Sequence, residues 1–262
     1  MNRDAFEEAA QMVRDGALVV SNHSGGKDSQ AMLIRLLEHV PKRQILVIHA
    51  SLGEIEWPGA LEHAQKQAED AGLPFIVARA PKTLFDMVRR RHATRPEVPS
   101  WPSSSSRQCT SDLKRGPIAR EVRRYADANG FRVVLNCLGL RAEESPGRAK
   151  KQELTRNPTQ SNSKREWFEY LPIHGLKTDE VFATIAAAGQ QPHYAYALGN
   201  ERLSCVFCIM ASKNDLGVGA QHHPCLLDAY DDLEEATGYT MHMSRVPLRV
   251  LSSMNHEQAH PL

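Results

Sequence analysis

Residues 21–29 read Ser-Asn-His-Ser-Gly-Gly-Lys-Asp-Ser and follow directly on the apolar run Ala17-Leu18-Val19-Val20. A strand therefore runs into a two-glycine turn, and a helix opens at Asp28-Ser29. Gly25 and Gly26 carry no Cβ, so backbone N–H groups can close around an anion. The first-turn amides and the positive dipole end of the helix face the same place. Ser24 and Ser29 add hydroxyl donors, and Lys27 adds a point charge. The string is not a Walker A loop, which needs glycine where Ser21 stands and Ser or Thr where Asp28 follows the lysine. Such a strand–turn–helix commits the chain to an α/β layer fold with its ligand at the carboxyl end of a strand.

The remaining pattern agrees. Residues 3–15 read as an amphipathic helix, and Met32, Leu33, Leu36, Leu37 and Val40 fall at helical spacing until Pro41. Residues 44–49 form a continuous apolar strand of the kind buried on both faces of a parallel sheet. Further strands are expected at 75–78 and 131–138, and helices at 58–71, 83–92, 116–125 and 178–188. Residues 93–108 hold three prolines and the run Ser103-Ser104-Ser105-Ser106, and read as a loop; residues 144–165 read as a second, basic loop. The expected fold is a three-layer α/β sandwich with a mostly parallel sheet over residues 1–199, followed by an irregular cysteine-bearing segment over 200–262. Gly139, Arg141, His49 and Ser51 all lie just past expected strands, where they can share a crevice with the glycine turn.

At 262 residues with 41% hydrophobic and 24% charged residues, the chain can bury one sizeable core. It has no long apolar run and no secretory leader, so it is expected in the cytoplasm with no membrane partner. A net charge of +1 gives no support for a strong stand-alone nucleic-acid binder. Five cysteines in such a setting point to metal or chemistry before disulfides. Cys205-Val206-Phe207-Cys208 is a Cys-x-x-Cys knuckle, Cys225 follows His222 and His223, and Cys109 lies far upstream. Spacing allows an iron–sulfur site on Cys109, Cys205, Cys208 and Cys225, a zinc site that includes His222 or His223, or a redox pair. Cys137, inside an apolar strand, reads as a core thiol. Trp101 and Trp167 read as loop anchors.

The string Ser24 to Ser29 resembles the PP-loop of the ATP pyrophosphatase superfamily. Further motifs resemble those of phosphoadenosine phosphosulfate (PAPS) reductase relatives. They are Cys109-Thr110 with Lys114, Gly139-Leu140-Arg141 with Glu144-Ser145 and Arg148, and Arg202 with Cys205 and Cys208. They run in the family's order across most of the chain. The last cysteine is Cys225, and the final residues Glu257-Gln258-Ala259-His260-Pro261-Leu262 lack the Glu-Cys-Gly nucleophile of the sulfate-assimilation reductases. The intact Ser-Gly-Gly-Lys-Asp-Ser is more similar to ATP users, above all to the cluster-bearing ATP pyrophosphatase component of DNA phosphorothioation systems.

This resemblance implies an enzyme that binds ATP and Mg²⁺ and releases pyrophosphate and AMP while adenylating an acceptor for sulfur transfer. Lys27, Asp28 and Arg141 take the catalytic roles. Ser24, Gly25, Gly26, Lys27, Asp28, Ser29, His49, Ser51, Gly139, Arg141 and Arg148 bind the nucleotide. Cys109, Cys205, Cys208 and Cys225 hold a 4Fe–4S cluster, with zinc as the alternative. The implied partners are a sulfur donor such as a cysteine desulfurase and a nucleic-acid acceptor brought by another protein. Reduction of PAPS or adenylylsulfate to sulfite is the rival activity, and a nucleotide-sensing module without turnover is the non-enzymatic one.

Overall fold

The structure, a computed structural model, describes residues 3–254. Its central sheet has six strands: β1 (Leu18–Asn22), β2 (Ile45–Ser51), β3 (Phe75–Arg79), β4 (Val133–Cys137), β5 (Leu154–Arg156) and β6 (Glu166–Tyr170). Their order across the sheet is β3-β2-β1-β4-β6-β5. β1 runs parallel to β2 and β4, β4 runs parallel to β6, and β5 pairs antiparallel with β6. The sheet therefore switches direction of growth between β1 and β4, and the carboxyl ends of those two strands form the crevice where α/β sheets take ligands.

The apolar strands are buried on both faces. Val19, Ile45, Val47, Leu135 and Cys137 join one core with α1 (Arg3–Arg14) and α2 (Lys27–His39). Their neighbours Leu18, Val20, Leu46, Ile48 and Val134 join a second core with α5 (Gly116–Ala128). Strict alternation between two apolar layers is what a sheet covered on both faces demands. Trp167, expected in a polar loop, lies in β6 and is 2% exposed. The stretch expected to be a loop over 144–165 contains α6 (Pro146–Ala149) and β5.

The chain divides into two compact units. The first comprises Met1–Ala50, Gly59–Ala78 and Ile118–His193, and holds most of the sheet together with α3 (Ala60–Asp70) and α7 (Thr178–Ala187). The second comprises Ser51–Pro58, Arg79–Pro117 and Tyr194–Leu262. Its last segment begins close to the expected boundary at residue 199, but two earlier segments complete it. The cysteine-bearing stretch, expected to be irregular, carries α8 (Lys213–His222), α9 (Pro224–Thr237) and α10 (Leu248–Ser253). They pack with α4 (Leu84–Thr94) around Leu84, Phe85, Phe207, Leu216, Tyr230 and Leu251. Among the described residues, no helix is long and apolar enough to cross a membrane.

Candidate functional site

The glycine turn sits at the carboxyl end of β1, beside the switch point. Gly25 has φ +77°, and a Cβ there would lie 2.5 Å from the Ala60 carbonyl oxygen, so only glycine fits. The Gly25 amide donates to His23 Nδ1 at 3.1 Å, and the Ser24 amide donates to Ser29 Oγ at 3.2 Å. Ser29 Oγ donates onward to the Gly26 carbonyl at 2.8 Å. α2 opens at Lys27, so the amides of its first turn have no intrahelical acceptor. Lys27 is 3% exposed, with its ammonium 3.7 Å from Asp28 Oδ2 and 5.9 Å from the centre of the Phe182 ring.

A shell of buried histidines stands behind the turn. His23 Nδ1 accepts from Gly25, so its proton is on Nε2, which donates to Gln67 Oε1 at 2.8 Å. Burial pulls the His23 imidazole down to about 3; the Gln67 bond opposes this, and His63 and His49 add to it. His49, placed by sequence beside the nucleotide, is fully buried at the end of β2 and donates from Nδ1 to the His23 carbonyl at 2.8 Å. Ser51 closes the same strand.

Gly139 follows β4 with its backbone against the start of α2. A Cβ on it would press on the Asp28 carbonyl carbon at 3.1 Å and the Ser29 nitrogen at 3.2 Å. Arg141, two residues on, donates from Nε to Asp28 Oδ1 at 2.6 Å, from Nη1 to Glu143 at 2.6 Å and from Nη2 to Thr178 Oγ1 at 3.1 Å. Its fork thus fixes the Asp28 carboxylate, while Arg148 pairs with Glu144. Sequence reasoning named Arg141 and Asp28 but not their bond, and missed His23, Glu143 and Thr178. His23 was the most accessible of these, since it stands directly before the turn.

The second unit gathers the cysteines. Cys205 pairs by an antiparallel bridge with Glu56, and the Val206 amide donates to the Ile55 carbonyl at 2.9 Å. Cys109 precedes a π-helical turn, Thr110–Arg115, which carries Lys114. Burial raises the Cys109 thiol and so does Cys208, against Lys114. Burial pushes Cys205 up to about 12, with Lys114 opposing and Cys208 and Cys109 adding. Burial alone would lower Lys114, but Cys205, Cys208, Glu56 and Cys109 together raise it. Three thiols and the half-buried Lys114 ammonium therefore share one neighbourhood. Cys225 is exposed in the first turn of α9 and is not among these influences. Among the described residues, no group of three or more His, Cys, Asp or Glu side chains stands ready-made around a metal position. Were a thiolate-bound group to be held here, Cys109, Cys205 and Cys208 would be its ligands and Lys114 would offset their charge.

Residues 18–211 match the phosphoadenosine phosphosulfate reductase domain. The chain belongs to that family. An uncharacterized 37.8 kDa protein in the gpa 5′ region of Escherichia phage 186 is 30% identical over 116 residues, covering 44% of this chain. The match spans 34% of that phage protein's length. Among solved structures, the chain is similar to the PAPS reductase of Candida auris, with 14% identity and a TM-score of 0.49 over 77% of this chain and 87% of that one. It is also similar to the U34-tRNA thiolase NcsA of Methanococcus maripaludis, solved with its 4Fe–4S cluster. Identity there is 15% and the TM-score 0.47, over 100% of this chain and 82% of that one. The family is named for a reductase.

Proposed function

We propose that this family member is an ATP pyrophosphatase that adenylates an acceptor, a nucleic acid brought by a partner protein, for sulfur transfer. The observation that carries this reading is the Ser24–Ser29 turn at the β1–β4 switch point, with Lys27 buried at the start of α2. The first-turn amides and the dipole of α2 receive the phosphates. Lys27 offsets the charge that builds on the departing pyrophosphate. Asp28, oriented by Arg141, is the carboxylate suited to Mg²⁺. An acceptor oxygen attacks the α-phosphorus, the bond to the α–β bridging oxygen breaks, and pyrophosphate leaves with that electron pair. A sulfur nucleophile from a donor such as a cysteine desulfurase then displaces AMP.

Cys109, Cys205 and Cys208, with Cys225 as the fourth thiolate, are the residues that would hold a 4Fe–4S cluster. When bound, such a cluster supplies iron for electron or sulfur binding. Lys114 balances the charge of the thiolates around it.

Incubation with ATP labelled at the α-phosphate should yield AMP, and Lys27→Ala should bind nucleotide more weakly while keeping the fold. ADP as the sole product, or unchanged nucleotide affinity in Lys27→Ala, would overturn the reading. Family membership supports a second reading, reduction of PAPS or adenylylsulfate, and sulfite release from PAPS by the purified protein would put it first.

A further inference from the structure

The neighbouring strands β2, β1, β4 and β6 run parallel, so their starts lie along one edge of the sheet, at the opposite end from the glycine turn. Cations stand before three of them. Lys42 and Arg43 precede β2, Arg132 precedes β4, and Lys164 and Arg165 precede β6. Before β1, Arg14 and Asp15 offset each other. At about 4.8 Å between strands, the row spans about 14 Å. Lys42, Arg43, Arg132 and Lys164 are exposed, and none of them pairs with a carboxylate among the described residues.

The row is held firmly at its β6 end. The Asn162 side-chain oxygen accepts the Lys164 and Arg165 amides at 2.8 and 3.1 Å, and the Glu166 amide donates to the Arg132 carbonyl at 2.9 Å. The buried Arg165 ties this turn to α5 through Asp127 and the Arg123 carbonyl. Arg123 itself donates to the neutral Gln160 at 2.7 Å. The carboxylates nearby are already engaged: Glu121 by Arg120 and Arg124, Asp127 by Arg165, and Glu166 by Arg156. A chain with a net charge of +1 thus gathers a local excess of positive charge on one rim. Among the described residues, the exposed large apolar side chains all fall between Tyr194 and Met254, in the second unit. A protein interface is built around an apolar or aromatic centre, which this rim lacks. A sugar–phosphate backbone is met by Arg and Lys with Asn and Ser, the composition of the turn Asn162-Ser163-Lys164.

We infer that this amino-end rim, Lys42, Arg43, Arg132 and Lys164, binds the phosphate backbone of a nucleic acid. This rests on the reading that the acceptor is a nucleic acid, and adds that the chain grips it directly. The rim lies one strand length, about 17 Å, from the glycine turn. One turn of duplex, about 34 Å, covers that distance. The rim therefore positions the acceptor and takes no part in the chemistry.

The test follows binding of a labelled DNA duplex of about three turns, and of an RNA hairpin of equal charge, by fluorescence anisotropy from about 50 to about 200 mM salt. The full chain is compared with a rim variant (Lys42→Ala, Arg43→Ala, Arg132→Ala, Lys164→Ala). A control loses the same charge elsewhere on the first unit (Arg3→Ala, Arg35→Ala, Lys66→Ala, Lys150→Ala). The rim variant should bind at least about tenfold more weakly, and its log–log salt slope should be shallower by about 3, near 0.9 per phosphate contact removed. The control should keep the wild-type slope. Loss on either nucleic acid supports the proposal, and the one that loses more identifies the acceptor as DNA or RNA. Equal losses in the two variants, or no binding by the wild-type chain at the lowest salt, would overturn it. So would displacement of both nucleic acids by polyglutamate of equal charge, which would mark an acidic protein partner instead. AMP release from ATP alone should be the same in the rim variant as in the wild-type chain. Its absence from the wild-type chain would defeat the pyrophosphatase reading, while the binding curves would still decide the rim.

Discussion

The imidazole of His23 accepts the amide proton of Gly25 at 3.1 Å, so the residue before the glycine turn holds the first glycine in place. That amide is turned toward the protein, which in the proposed function leaves the phosphates to the amides that follow it. The bond requires a neutral ring, and burial supplies one by holding His23 down to about 3.

This fixes a pH dependence. The unfolded chain binds a proton at His23 near pH 6.5 and the folded chain only near 3. The stability linked to His23 is therefore full above about pH 6.5 and is lost as the pH falls from there toward 3. At about 1.4 kcal/mol per pH unit, lowering the pH to 5 should remove about 2 kcal/mol. Urea unfolding at pH 7.5 and pH 5 should show that loss in the wild-type chain and a smaller one in His23→Gln. Equal losses would remove His23 from the account.

Gly25→Ala should damage the turn beyond repair by side-chain motion. The new Cβ would meet backbone atoms of Ala60 at 2.5 to 3.0 Å, and φ is +77°. The left-handed backbone alone costs about 1–2 kcal/mol. Isothermal titration should find no nucleotide binding in a chain that still unfolds cooperatively but at lower urea. Gly147→Ala, where a Cβ would meet nothing, should change neither.

Arg141→Ala should cost more than removing a surface pair. It strips Asp28 and Glu143 of the same guanidinium, whose own side chain is 4% exposed. Breaking a buried pair costs about 3–5 kcal/mol, and the partial exposure of both carboxylates brings the expectation nearer 2–3. Arg141→Lys cannot serve three partners with a fork and should recover less than half of this. Denaturation midpoints of the three proteins decide it.

Cys137→Ser separates core from site. Cys137 is fully buried in β4, and its thiol donates to the Leu135 carbonyl at 3.7 Å. The substitution should cost about 1–3 kcal/mol by placing a hydroxyl in an apolar layer. Iron and sulfide uptake should stay unchanged, while Cys205→Ala should abolish it. Loss of iron in Cys137→Ser would redraw the ligand set.

The sheet and the glycine turn were legible because both are local: Leu18 to Val20 lead into two adjacent glycines, and the apolar run of β2 needs no distant partner to be recognised. β5 and β6 were not, since Leu154–Arg156 is three residues long and exposed at two of them, and Trp167 reads as polar-loop company until its strand partner is known. In the second unit the helix α4 was legible, but α8, α9 and α10 were hidden by its assembly from three separated segments, which leaves α8 with glycines in its interior and a weak apolar stripe. Motif residues were visible one by one, but the Arg141–Asp28 bond spans 113 positions and only the fold brings its ends together.

The π-helical turn from Thr110 to Arg115 makes the spacing of Cys109 and Lys114 matter in an unusual way. It closes through the Gly116 amide to the Ser111 carbonyl, five residues back, and a Cβ on Gly116 would lie 3.2 Å from that oxygen. In such a turn positions five apart come back to nearly the same side, whereas in an α-helix they diverge. The wider winding is accordingly what brings Cys109 and Lys114 to one side at this spacing. Wound as an ordinary α-helix over the same residues, the five steps from Cys109 to Lys114 would leave the ammonium about 140° around the axis from the thiol, with every functional side chain still in the sequence.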